Sequence, residues 1–82
     1  MDMDERALLE RITANPEIYG GKPIIRGRRL AVEHVLGMIV GGASPQQIVD
    51  HYEGVLDLDD IRACVLYAQK LVQNGKLVAT AK

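Results

Sequence analysis

Gly41-Gly42-Ala43-Ser44-Pro45-Gln46-Gln47 stops one helix and starts another within a single short stretch. The paired glycines end whatever helix precedes them. Ser44 is an N-cap, and Pro45 occupies the first helical position, where its missing N–H is not needed. Gln47 closes a capping box with Ser44. A chain punctuated in this way cannot form one long helix. It has to pack several short ones around a common core.

The other boundaries follow from the same chemistry. Val32, Val35, Leu36, Ile39 and Val40 give a wide apolar face to a helix over 32–41. Ile48, Val49 and Tyr52 give a buried side to a helix over 45–52. The last helix opens on Asp57 as N-cap with Asp60 three positions on. It carries Leu58, Ile61, Val65, Ala68 and Val72 as its core stripe, widened by Leu71, and ends at Asn74-Gly75. Residues 4–13 form a first helix, with Leu8, Leu9 and Ile12 at helical spacing and Asp4 and Glu5 at its positive end. Asn15-Pro16 ends it, because a residue before proline is pushed out of the α region. Residues 76–82 are expected to be a tail or one more short strand.

Between these helices, residues 17–32 are expected to be extended. Ile18, Ile24, Ile25, Leu30 and Val32 favour strands, while Gly20, Gly21 and Gly27 supply turns. Pro23 lacks a ladder donor and predicts an edge strand. The expected fold is mostly α: a small β-hairpin segment followed by a three-helix, helix-turn-helix core of the homeodomain or winged-helix kind. About four residues join the helices over 45–52 and 57–73, the connection length of a helix-turn-helix. The whole of 1–82 is expected to be a single domain.

With no Phe or Trp among 82 residues, the core must be Leu, Ile and Val. A core of that size supports a monomer weakly and points to a homodimer or a protein partner. The single cysteine, Cys64, excludes an intramolecular disulfide framework and suits a reducing compartment. No apolar run approaches the length of a membrane span, and the acidic N-terminus is unlike a signal peptide, so a cytoplasmic location is expected.

Net charge is −1, which hides a strong asymmetry. Lys22, Arg26, Arg28 and Arg29 fall close together, and Asp50, Glu53, Asp57, Asp59 and Asp60 follow. The basic stretch is not a phosphate loop of the Walker kind. That loop needs Ser or Thr after its lysine and a helix opening there, whereas Lys22 precedes Pro23. No metal or cofactor site is expected, since His34 and His51 lack ligand spacing, and no catalytic residue is assigned. Cys64 sits beside the core stripe as a small buried residue.

The stretch from Gly20-Gly21-Lys22-Pro23 through Ile25-Arg26-Gly27, Ser44-Pro45, Ile48, Tyr52, Asp60-Ile61, Ala63 and Tyr67-Ala68 resembles a small prokaryotic family of unknown function. Its pattern is GGKPxIRGTRIxV, and the likeness spans about residues 16–68. Arg28 stands where the family usually has Thr, and Glu53 where it usually has Pro. The resemblance implies a helix-turn-helix-like core and an antitoxin-like role beside a toxin protein encoded by a neighbouring gene.

On this basis Lys22, Arg26, Arg28 and Arg29 are the candidate DNA- or anion-binding residues, with Gly20, Gly21, Pro23 and Gly27 shaping the loop. The alternatives are a protein-interaction module that never touches DNA and a structural domain with no ligand. The start of the last helix, where a helix-turn-helix would enter the major groove, bears Asp57, Asp59 and Asp60, which phosphates would repel. Arg62, Gln69, Lys70 and Gln73 lie further along it. The expected DNA contact is therefore the hairpin.

Overall fold

The structure is a computed structural model and describes residues 4–75. The tail or strand expected over 76–82 lies outside the described residues. The elements are α1 (Glu5–Leu9), β1 (Ile12–Ala14), a 3₁₀ turn (Tyr19–Gly21), β2 (Pro23–Ile25), α2 (Val32–Val40), α3 (Pro45–His51) and α4 (Leu58–Gln73). The described chain is thus mostly helical, with four helices and one two-stranded antiparallel hairpin.

The helix starts are set by side-chain caps. Asp4 accepts from the Ala7 N–H at 2.8 Å, and Ser44 accepts from the Gln47 N–H at 3.1 Å. The Gln47 amide oxygen in turn accepts from the Ser44 N–H at 2.8 Å. Asp57 and Asp60 exchange the same reciprocal bonds at 2.8 and 3.0 Å. Each such cap stabilises its helix by about 1 kcal/mol. Ala31 has no side chain with which to cap α2. Its N–H instead donates to His34 Nδ1 at 3.3 Å, which requires that nitrogen to be unprotonated.

The first helix is shorter than its periodicity predicts. α1 ends at Leu9, and Ile12 begins β1. Ile12 and Thr13 are both β-branched and lose side-chain freedom in a helix. In the strand they pair with Ile25 and Ile24, and Ala14 pairs with Pro23. The hairpin therefore draws its first strand from the segment expected to be helical. Pro23 opens β2, where a missing N–H is tolerated. Its strand is not a plain edge, however, because Ile24 also bridges to Ala31 on the other side.

The core is aliphatic, as the composition requires. Ile48, Leu56, Ile61, Val35 and Cys64 are its largest fully buried side chains, and no polar side chain is buried among the described residues. Leu8 from α1 and Ile12 and Ile25 from the hairpin join them. Burial lifts the Cys64 thiol to about 12, so it sits in the core as an un-ionised, unreactive group.

Two apolar faces differ from expectation. On α4 the buried line runs through Ile61, Ala63 and Cys64, while Leu58, Val65 and Val72 are exposed. On α2, Val40 is 87% exposed. Seven-residue spacing keeps Leu58, Val65 and Val72 in one row, but α1, α2 and α3 cover the adjacent face of α4 instead. The α3–α4 connection, residues 52–57, is longer than the expected four residues because α3 ends at His51. Among the described residues no helix is long and apolar enough to cross a membrane.

Arg11 joins the hairpin to the helices. Its guanidinium donates to Asp57 at 3.0 Å and to Asp60 at 2.9 Å, and its carbonyl accepts from the Arg26 N–H at 2.7 Å. The bond to Asp60 is the main reason the Arg11 guanidinium holds its proton more tightly than usual. Partial burial pushes the Asp57 carboxyl upward, but the Asp60 N–H and the Arg11 guanidinium outweigh it and hold the group below the ordinary carboxylate range. A carboxyl with a lowered folded-state pKa adds stability above its unfolded value of about 3.9, and that stability is lost as pH falls through the folded value. Arg11→Met should cost about 1–2 kcal/mol at pH 7, between the values for exposed and buried ion pairs. Urea denaturation at pH 7 and pH 3 should show the variant losing less stability on acidification than the parent chain.

Candidate functional site

The four candidate cations are carried on the second half of the hairpin and the turn that follows it. β2 ends at Ile25, and the chain reverses through Arg26-Gly27-Arg28-Arg29 to bring Ala31 back beside Ile24. Two backbone bonds close this turn: Arg28 N–H to the Ile25 carbonyl at 2.9 Å, and Ile25 N–H to the Leu30 carbonyl at 3.0 Å. Gly27 lies at φ +76°, in the left-handed region that a side chain disfavours, and open space surrounds the position its Cβ would take. The constraint on Gly27 is therefore backbone strain and not crowding.

A second tight feature sets the turn in place. Tyr19, Gly20 and Gly21 all have positive φ, at 50°, 64° and 87°. For Tyr19 this is a strained conformation costing about 1 kcal/mol or more. Two interactions hold it. The Tyr19 hydroxyl donates to the Arg29 carbonyl at 3.0 Å, and its ring meets His34 edge-to-face at 5.3 Å. Tyr19 thereby ties the first loop to the backbone of the cationic turn. Composition and spacing give no reason to single it out; its only local signal is its place directly before two glycines.

The cations do not form one cluster. Lys22 pairs with Glu33 at 2.9 Å across the start of α2. Both side chains are well exposed, so solvent screens the pair and it contributes little to stability. The Lys22 ammonium holds the Glu33 carboxyl below its ordinary range. Arg26 borders a hollow with Glu10, Arg11 and Asp60, on the side of the hairpin that faces α1 and α4. Arg28 and Arg29 lie together on another cleft of about 460 Å³, lined also by Thr13, Asn15, Ile18 and Gly27.

The residues that line this cleft include Arg28, Arg29, Thr13 and Asn15 and no Asp or Glu, although more of its surface is apolar than polar. Asn15 uses its oxygen to accept from the Glu17 N–H at 2.9 Å, which leaves its NH₂ as the group to offer a ligand. Among the described residues Arg11, Lys22, Arg62 and Lys70 are paired with carboxylates, and Arg6, Arg26, Arg28 and Arg29 are not. The expected acidic barrier at the start of α4 is in part consumed internally, since Asp57 and Asp60 serve Arg11 and each other.

Among the described residues the cysteine and the two histidines are engaged in packing or hydrogen bonds. Cys64 is buried, His34 is engaged with Ala31 and Tyr19, and His51 packs edge-to-face on Tyr52. Among the described residues no group of three His, Cys, Asp or Glu side chains is placed to hold a metal ion.

Comparison with known proteins bears on the fold and the family. The chain is 33% identical over 73 residues to the uncharacterized protein y4eO of Sinorhizobium fredii (strain NBRC 101917 / NGR234), a match covering 89% of this chain and 33% of that protein. It therefore spans about a third of that relative's length. The crystal structure of a DUF433 member protein from Anabaena variabilis ATCC 29413 superposes with a TM-score of 0.71 at 25% identity, covering 84% of this chain and 67% of that one. The family model described as "Protein of unknown function (DUF433)" matches residues 12–68, from the first residue of β1 to the middle of α4. The chain belongs to the DUF433 family.

Proposed function

We propose that this protein is a non-catalytic, DNA-associated regulator of the cytoplasm, antitoxin-like in role, that contacts nucleic-acid phosphates through the turn after β2. The observation that carries the proposal is the cleft in which Arg28 and Arg29 stand beside Thr13 and Asn15 with no carboxylate in the lining. Guanidiniums fork onto phosphate oxygens, and hydroxyl and amide groups supply the further donors that fix register on a backbone. Arg26 flanks this surface from the other side of the hairpin, beside Glu10 and Asp60. Lys22 is paired with Glu33 at the start of α2 and does not line this cleft.

The helix-turn-helix reading of α3 and α4 supports a different mode of binding less well. A helix-turn-helix offers the N-terminal residues of its second helix to the major groove. Here that position carries Asp57, Asp59 and Asp60, two of them bound to Arg11. The antitoxin-like part of the proposal, a pairing with a toxin protein from a neighbouring gene, rests on the family resemblance.

Retention of the chain's own upstream DNA across a salt series tests the proposal. The log–log salt slope should reflect about 0.9 per phosphate neutralised, and Arg28→Ala with Arg29→Ala should flatten it by about that much for each phosphate no longer neutralised. Circular dichroism should show the doubly substituted chain still folded, since both side chains are exposed. No retention at low salt, or a slope unchanged by the two substitutions, would sink the DNA proposal. A chain that purifies without the neighbouring gene's product when the two are co-expressed would remove the antitoxin-like part.

A further inference from the structure

The cleft beside Arg28 and Arg29 has an apolar lining that phosphate contact alone does not use. Ala14, Pro16, Ile18 and Ile24 supply it, and they make more of the surface apolar than polar. A site that only clamps a sugar–phosphate backbone works through charge and hydrogen bonds. A hollow of about 460 Å³, mostly apolar with a few converging polar groups, instead has the make-up of a small-ligand site. Its polar groups lean one way. Asn15 commits its side-chain oxygen to the Glu17 N–H at 2.9 Å, so it has only its NH₂ to offer. Arg28 and Arg29 only donate, Thr13 is the one lining side chain with a free acceptor, and Glu17 lies outside the lining. The turn is also held in advance, since the Tyr19 hydroxyl donates to the Arg29 carbonyl at 3.0 Å.

We propose that this cleft takes one unstacked nucleotide of single-stranded DNA, its base on the apolar lining and its phosphate on Arg28 and Arg29. The inference rests on the phosphate-contact reading of the same turn and deepens it by naming the form of the strand. A duplex keeps its base faces stacked and offers a protein phosphates, sugars and groove edges. An unpaired strand can splay a base out to meet an apolar surface. No aromatic residue lines the cleft, but a guanidinium plane also stacks on a base. Arg28 and Arg29 have no carboxylate partner among the described residues and are available for that contact. The excess of donors selects the base. Thymine and guanine carry a carbonyl oxygen where cytosine and adenine carry an amino group. Donor side chains receive the carbonyl and leave the amino group unmatched.

Fluorescence anisotropy of the full chain at low salt tests this, with labelled oligothymidylate of about twelve nucleotides and its duplex with oligoadenylate. Phosphate contact alone favours the duplex, whose charge density is higher. The chain should instead bind the single strand about ten-fold or more tightly than the duplex. It should also bind oligothymidylate about five-fold or more tightly than oligocytidylate. Ile18→Ser removes apolar lining and should cut single-strand binding about ten-fold, narrowing the gap to the duplex. Pro16→Ser should act in the same direction, and Pro16 is exposed, so this second variant leaves the core alone. Circular dichroism should show it folded. A duplex bound as tightly as the single strand, and weakened by Arg28→Ala with Arg29→Ala, overturns the inference and leaves the phosphate reading standing. No retention of either form removes both. An unchanged ratio of the two affinities under both lining substitutions also overturns it. So does equal binding of oligocytidylate, or tighter binding of oligouridylate, which would assign the cleft to RNA.

Discussion

Arg11 is the joint on which the arrangement turns. It sits between α1 and β1 and reaches across to the start of α4, where one guanidinium serves both members of the Asp57–Asp60 capping box. Its backbone carbonyl meanwhile receives the N–H of Arg26, the first residue of the cationic turn. Three parts distant in sequence are thus fixed together: the first helix, the hairpin and the long final helix. The acidic start of α4 is stabilised three ways at once, by the capping bonds, by the helix dipole and by Arg11.

The same joint decides which charges face outward. Without Arg11, the start of α4 would present bare carboxylates next to the hairpin. With it, two of them are engaged, and the paired cations of the described chain are accounted for by Arg11, Lys22, Arg62 and Lys70. The unpaired guanidiniums of the hairpin are concentrated on the turn that Tyr19 and Gly27 shape. A net charge of −1 therefore coexists with a cleft lined by Arg28 and Arg29 and by no carboxylate.

Much of this was legible in the sequence, and the failures have physical causes. Caps are local, so Ser44-Pro45-Gln47 and Asp57–Asp60 announced α3 and α4 correctly. Ile12 was ambiguous: it falls at helical spacing after Leu8 and Leu9, yet as a β-branched residue it pairs with Ile25 once the hairpin closes. Spacing alone defines the α4 stripe, and it finds a row of apolar residues but not what covers it. Ile61 is shared by the buried face and the exposed row, while Leu58, Val65 and Val72 belong only to the row. Arg11 carried no signal at all, since its partners lie 46 and 49 residues away. Grouping Lys22 with Arg26, Arg28 and Arg29 assumed that neighbours in sequence share a surface, but a tight turn sends them to different sides of the hairpin.

We propose that the hairpin turn, and not the start of α4, is where this fold meets an anion. Backbone amide shifts during titration with a short DNA duplex test it most directly. Shifts confined to Thr13, Asn15 and residues 27–29 are the expected result. Shifts concentrated on residues 57–62, or none at low salt, would contradict it.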